Sequence, residues 1–164
     1  MAKEKMWMLY ENFGEEAKMF IRPDSGEKPF KAGLVDVEEF TQFIDGYTSP
    51  NELLLFSTPK NSVGEWRIVV SPDIGVIAMS SYRYQGLLTR VPSAPKGATD
   101  LALKVLNIYV PDKVFCVDVV QDGDGKFWVM EITSFSSAGL YACNKEAVIT
   151  AVSEIAANEQ NRQS

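Results

Sequence analysis

Residues Val114–Phe135 read VFCVDVVQDGDGKFWVMEITSF, two β-rich runs joined by an Asp-Gly turn signal, and the fold rests on how those runs pair. A two-residue hairpin loop needs φ > 0 at both central positions, which is why Asp-Gly marks one so strongly. With Asp124 and Gly125 at the centre, Asp118 stands directly opposite Glu131. With Asp122 and Gly123 there instead, the pair becomes diagonal, but the period of two keeps both carboxylates on one face. Their neighbours on that face would be Cys116, Val120, Phe127 and Val129, while Val117, Val119, Trp128, Met130 and Ile132 take the other. Apolar side chains on both faces are expected of a buried strand pair.

Two like charges facing each other in such a sheet are destabilising unless one is protonated or a cation lies between them. Oxygen-only ligands suit Mg²⁺ or Mn²⁺, so the hairpin is a candidate metal site. The alternatives are a solvated edge hairpin whose acids never meet, or an acid pair bonded to Arg and Lys. On the hairpin alone these stay open.

Composition narrows the function classes. At 164 residues the chain suffices for one domain with a sizeable core and is short for two ordinary ones. An apolar content of 46% and a charged content of 23% are those of a soluble globular protein. The net charge of −6 argues against nucleic acid as a partner, which needs Lys and Arg gathered on one face. The opening MAKEKMWMLYENFGEEAK is charged and has no unbroken apolar core, so neither a signal peptide nor a membrane span is expected there, and the setting expected is cytoplasmic, bacterial or viral. Cys116 and Cys143 are expected as buried free thiols. Histidine is absent, which removes Ser-His-Asp and Cys-His nucleophilic arrangements and His-ligated zinc. Any catalysis must then run on carboxylates, Lys or Arg, a metal, or positioning.

Along the chain, Lys3–Lys18 suggests a short helix or irregular lead-in, and Met19–Arg22 a β run closed by Pro23. Asp24–Gly33 is a loop or hairpin carrying Lys28 and Lys31, either an ordinary surface turn or a flap able to approach phosphates. No GxxxxGK[ST] is present, which excludes a Walker-type loop. Residues Asp36–Gly46 predict a helix capped by Asp36, with Val37, Phe40, Phe43 and Ile44 as its apolar stripe. A short buried strand is expected at Leu53–Phe56 and a turn at Asn61–Gly64. Two antiparallel strands, Glu65–Val70 and Val76–Tyr84, follow and carry Glu65, Arg67 and Arg83. Those charges either pair with one another or line a cleft, where Arg recognises phosphate or carboxylate through two parallel bonds. Gln85–Gly97 reads as a long loop bearing Arg90 and Lys96, a helix starts at Thr99 or Asp100, and Asn144 caps a terminal helix Lys145–Asn158 with a frayed tail beyond it.

The order of these pieces resembles the ATP-grasp superfamily, most nearly the RimK-like branch found in bacteria and bacteriophages. FIRPDSGEKPFKAG, EWRIVV with SSYRY, and CVDVV followed by WVMEITSFSSAGLY carry the resemblance over roughly Phe20–Tyr141. It implies an α+β fold, a single ATP-grasp-like domain spanning 1–164. Two small lobes, each with an antiparallel sheet and helices, are expected at about 1–56 and 57–158 around a nucleotide cleft, before a tail at 159–164. It also implies ATP with Mg²⁺ or Mn²⁺, and the roles that follow. Arg22 and Lys31 would contact phosphates. Leu55 and Ser57, in the linking strand Leu53–Thr58, would hold adenine, with Glu65 and Lys96 also on the nucleotide. Arg67 and Arg83 would line the cleft and Arg90 the substrate loop, forming the catalytic set. Asp118, Glu131 and Thr133 would hold the metal, Thr133 standing where the family usually has Asn.

The implied activity is a carboxylate–amine ligase working through an acyl phosphate on small-molecule or peptide substrates, a mechanism that needs no histidine. The alternative is a reduced nucleotide-binding or protein-interaction module. Family members usually carry a separate N-terminal domain. Here the resemblance implies that a second copy, a partner chain, or the two lobes alone complete the substrate site.

Overall fold

The computed structural model describes residues 11, 18–24, 30–36, 39–40 and 53–162. The expected N-terminal helix, Lys28 on the flap, and most of the helix after Asp36 lie outside the described residues. The chain divides into two compact units, Met1–Lys60 and Asn61–Ser164.

In the first unit, strands β1 (Lys18–Pro23), β2 (Gly33–Asp36) and β3 (Leu54–Ser57) form an antiparallel sheet in the order β2-β1-β3. Alternation along β1 sends Met19 and Ile21 into a core with Phe30, Val35 and Phe40, against which Leu54 and Phe56 pack. Asp36 ends β2, where Lys18 lies opposite it at 3.9 Å. The sequence suggests a buried strand at Leu53–Phe56. The strand begins one residue later, at the sheet edge, with Leu55 47% exposed.

The second unit holds a five-stranded antiparallel sheet ordered β6-β5-β4-β7-β8. Its strands are β4 (Ser62–Ser71), β5 (Gly75–Tyr84), β6 (Leu87–Leu88), β7 (Phe115–Asp122) and β8 (Phe127–Ser134). Helix α1 (Lys96–Leu106) covers one face through Ala98, Ala102 and Val105, against Trp66, Ile68, Val70, Phe115, Val117 and Val119. On the other face Val69, Ala78, Cys116 and Cys143 pack with Val148 and Ile155 of helix α2 (Lys145–Arg162). Both cysteines are free and buried, as expected.

Several boundaries differ from those expected. Ser62–Gly64 is strand rather than turn, paired with Gln121 and Asp122 of β7. The long loop is broken by β6, because Gln85 and Gly86 both take positive φ and make a two-residue hairpin joining Tyr84 to Leu87. Helix α1 starts at Lys96, since Pro95 at the N-cap has no N–H to leave unpaired. Asn144 does cap α2, its Oδ1 accepting the Ala147 N–H at 3.1 Å. The helix runs on through Arg162 where a frayed tail was expected, over residues of good helix propensity such as Ala156, Ala157 and Gln160.

The β7–β8 hairpin is closed by three residues rather than two. Gly125, at φ +81°, donates its N–H to Asp122 O, and Asp122 N–H donates to Lys126 O, both at 3.0 Å. The Asp122 carboxylate enforces this loop by accepting from Asp124 N–H, Lys126 N–H and Trp128 Nε1–H. A regular ladder from that loop would set Asp118 against Met130. A bulge between Asp118 and Val119 absorbs Met130 as an extra residue, so Asp118 pairs with Glu131 after all. The bulge also changes the phase of β8. Phe127 and Val129, expected beside the carboxylates, belong to the α1 face, where Phe127 meets Trp66 at 6.0 Å, and Trp128 pairs with Val120 on the carboxylate face. Burial is complete only on β7, because β8 is the sheet edge and leaves Val129 and Met130 each 40% exposed.

Candidate functional site

The α2 face of the large sheet carries charge where β4, β5, β7 and β8 lie side by side. Cross-strand pairing puts Arg67 of β4 next to Asp118 of β7 and Ser80 of β5, and Asp118 next to Glu131 of β8. Thr133, two residues beyond Glu131 and opposite Cys116, points to the same face. Arg67 and Asp118 are 7% and 3% exposed, and burial of such charges demands close pairing. Their pairing is bidentate: Arg67 Nε and Nη2 donate to Asp118 Oδ1 and Oδ2 at 2.8 and 2.7 Å. The remaining amino group, Nη1, donates to Gly139 O at 2.7 Å.

The segment between β8 and α2 folds over this pair. After a 3₁₀ turn at Phe135–Ser137, Ala142 N–H donates to Ser80 Oγ at 3.1 Å. Tyr141, held at φ +49°, then places its ring 5.0 Å from the Arg67 guanidinium. Tyr82 stacks on Tyr141 with centroids 5.0 Å apart and planes at 16°. A bulge between Glu65 and Trp66 leaves Tyr82 unpaired in the ladder, so Tyr82 and Arg83 both reach the Arg67 face. Arg83 lies 3.8 Å from Glu65 across the strands.

Environment sets the protonation of these groups. The Asp118 hydrogen bonds hold the Arg67 guanidinium well above its ordinary range, against the opposing effect of burial. Burial pushes the Tyr82 phenol far up, so it stays a hydroxyl donor, and moves the Cys116 thiol up to about 11. Two buried side-chain hydroxyls among the described residues, Tyr82 and Thr133, find no hydrogen-bond partner. An orphaned buried hydroxyl is costly, and such groups serve where a ligand completes them.

The expected site residues therefore separate into groups. Arg67, Asp118, Glu131 and Thr133 come together on one face, and Glu65 and Arg83 extend it along β4 and β5. Arg22, Leu55 and Ser57 belong to the first unit. There Arg22 pairs with Leu55 and Phe20 with Ser57, which puts all four on the sheet face opposite the core. Lys31 is exposed just before β2. Arg90 is exposed beyond β6. Lys96 opens α1, which packs on the opposite face of the large sheet, and its ammonium bonds Asp100 at 2.6 Å. Tyr82, Tyr141 and Gly139 were not legible as site residues, because a bulge and a loop crossing bring them in.

A divalent cation can be tested against this donor set. Asp118, Glu131 and Thr133 offer oxygens only, the ligand type Mg²⁺ takes, and Thr133 Oγ1 is a buried oxygen lacking any partner. The residues fit the ion. Asp118, however, has both oxygens engaged by Arg67.

A family model for an ATP-grasp domain, the second family of its clade, matches residues 4–151. Among curated proteins none matches the sequence. Solved structures with a similar fold include D-cycloserine synthetase DcsG, at TM-score 0.58 and 14% identity over 81% of this chain and 52% of that one. The ATP-grasp ligase PsnB complexed with a minimal precursor aligns at TM-score 0.55 and 14% identity, over 83% of this chain and 44% of that one. N5-carboxyaminoimidazole synthetase from Staphylococcus aureus, complexed with ADP, aligns at 0.58 and 14%, over 79% and 37%. The chain thus spans about half the length of these proteins or less.

Proposed function

The chain belongs to the ATP-grasp domain family whose model it matches, and on that premise we propose that it is an ATP-dependent ligase joining a carboxylate to an amine. Within the superfamily the reading places it near the RimK-like branch, with amino-acid or peptide substrates. The observation that carries it is the gathering of Asp118, Glu131 and Thr133 beside a buried arginine on one sheet face, with the Thr133 hydroxyl lacking a partner.

The chemistry follows from the residues present. A carboxylate does not acylate an amine at neutral pH until one of its oxygens becomes part of a leaving group. Attack of that oxygen on the γ-phosphorus of ATP breaks the β–γ bridge and gives ADP and an acyl phosphate. The amine then attacks the carbonyl, loses a proton to solvent and expels phosphate. These steps depend on positioning and charge neutralisation rather than on a nucleophilic side chain, so a chain without histidine is equipped for them. Asp118, Glu131 and Thr133 would hold Mg²⁺, which when bound neutralises charge on the phosphate oxygens. Arg67 and Arg83 would orient anionic groups on the large sheet, and Arg90 would meet the substrate carboxylate. On the small sheet, the face carrying Phe20, Leu55 and Ser57 would hold the base, and Arg22, with Lys31 before β2, the phosphates.

Thermal unfolding tests the assignment. Mg-ATP is expected to raise the melting temperature, and Asp118→Asn or Glu131→Gln to abolish the rise. No shift with any nucleotide would end the nucleotide reading, and an undiminished shift in both variants would end the metal assignment.

A further inference from the structure

Arg67 already occupies the carboxylate that the metal would need. Its fork takes one lone pair from each Asp118 oxygen, at 2.8 and 2.7 Å, in the planar arrangement that saturates the open side of a carboxylate. A divalent ion bound to the same group would stand beside a guanidinium, and two cations sharing one buried carboxylate repel each other. Occupancy by one weakens the other.

The other contacts of Arg67 give this competition a direction. Nη1 bonds Gly139 O at 2.7 Å, and the Tyr141 ring, braced by Tyr82, supports the guanidinium 5.0 Å away. Neither partner carries a full charge, so both can retain the group while Nε and Nη2 let go. A buried guanidinium released from its carboxylate still requires an anion, and a phosphate presents the same two-oxygen edge. We propose that Arg67 is a positioning residue that exchanges between Asp118 and a nucleotide phosphate, so that it restrains metal binding until nucleotide arrives and makes the two bind interdependently. The proposal rests on the nucleotide and metal assignment above and adds that Arg67 opposes metal binding before it assists the nucleotide.

The test measures binding and the guanidinium itself. Mn²⁺ alone is titrated into the wild-type chain and Arg67→Met, followed by the electron paramagnetic resonance of free Mn²⁺. The variant is expected to bind Mn²⁺ about 5- to 150-fold more tightly, the span of ordinary coupling between two sites. In parallel the Arg67 Nε–H resonance, assigned by its loss in Arg67→Lys, is followed in the wild type as Mg²⁺ and AMPPNP are added. It is expected to shift and to lose exchange protection with the metal, and to regain protection when AMPPNP joins. Equal or weaker Mn²⁺ affinity in Arg67→Met overturns the proposal. If that variant does not fold, an Nε–H signal unchanged by Mg-AMPPNP overturns it. AMPPNP that binds while the signal stays fixed refutes the exchange alone, whereas AMPPNP that fails to bind in any condition refutes the functional reading and the exchange with it.

Discussion

Replacing Asp118 by Ala removes the only carboxylate bonded to a guanidinium in the core of the described residues. At the observed 2.7 Å and an effective dielectric near 20, the pair attracts by about 6 kcal/mol before desolvation is counted. Arg67 keeps Gly139 O and the Tyr141 ring, which soften the loss without supplying an anion. Breaking a buried pair from one side costs about 3–5 kcal/mol, because the surviving charge is left uncompensated. For a unit spanning Asn61–Ser164 that corresponds to a fall of roughly 10–20 °C in melting temperature. Urea unfolding followed by fluorescence of Trp66 and Trp128, both in this unit, measures it. The double variant Arg67→Leu with Asp118→Leu buries no charge and is expected to recover most of the loss. A loss under about 1 kcal/mol for Asp118→Ala, or a double variant no better than the single one, would refute the pairing argument.

Other consequences can be checked separately. A Cβ on Gly97 would run into the Phe127 ring, which packs on Trp66, so Gly97→Ala is expected to destabilise by about 1–3 kcal/mol in chemical denaturation despite alanine's better helix propensity. Burial raises the Cys143 thiol from 9.0 to about 11, so this thiol ionises first in the unfolded chain. Stability it contributes is whole below pH 9 and lost as pH rises toward 11, and Cys143→Ser is expected to flatten that part of the stability profile. The Trp128 indole hydrogen bond, more than the loop amides, lowers the Asp122 carboxyl. Its contribution is present above pH 3.8 and lost as pH falls through the lowered value, so Asp122→Asn should remove acid-dependent opening of the hairpin in amide exchange.

The sequence shows the architecture where period and turn chemistry agree. Alternation in EWRIVV and the run FCVDVV announce central strands, and Asn144 announces the last helix. The facing of Asp118 and Glu131 is also legible, although the expected route to it differs from the one taken. The sequence suggests a two-residue loop with a regular ladder, whereas the structure uses a three-residue loop and a bulge at Met130. One residue added to the loop is cancelled by one absorbed in the strand. Bulges are set by tertiary packing rather than by local composition, so the swap of Phe127 and Trp128 between faces could not be seen. The same reason hid Tyr82. Tyr141 reaches Arg67 only because the loop before α2 crosses the sheet, a long-range event with no periodic signature. Lys96 misled in the other direction, since it reads as part of a loop and begins a helix on the far face.

The central claim is that ATP activates a carboxylate for attack by an amine. Incubating the protein with Mg-ATP, pooled amino acids carrying ¹⁸O in their carboxylates, and unlabelled amines tests it most directly, with the released phosphate read by mass spectrometry. Passage through an acyl phosphate transfers one carboxylate oxygen to phosphorus, so the account predicts ADP together with phosphate bearing a single ¹⁸O. Phosphate formed without label, its new oxygen drawn from water, would contradict it.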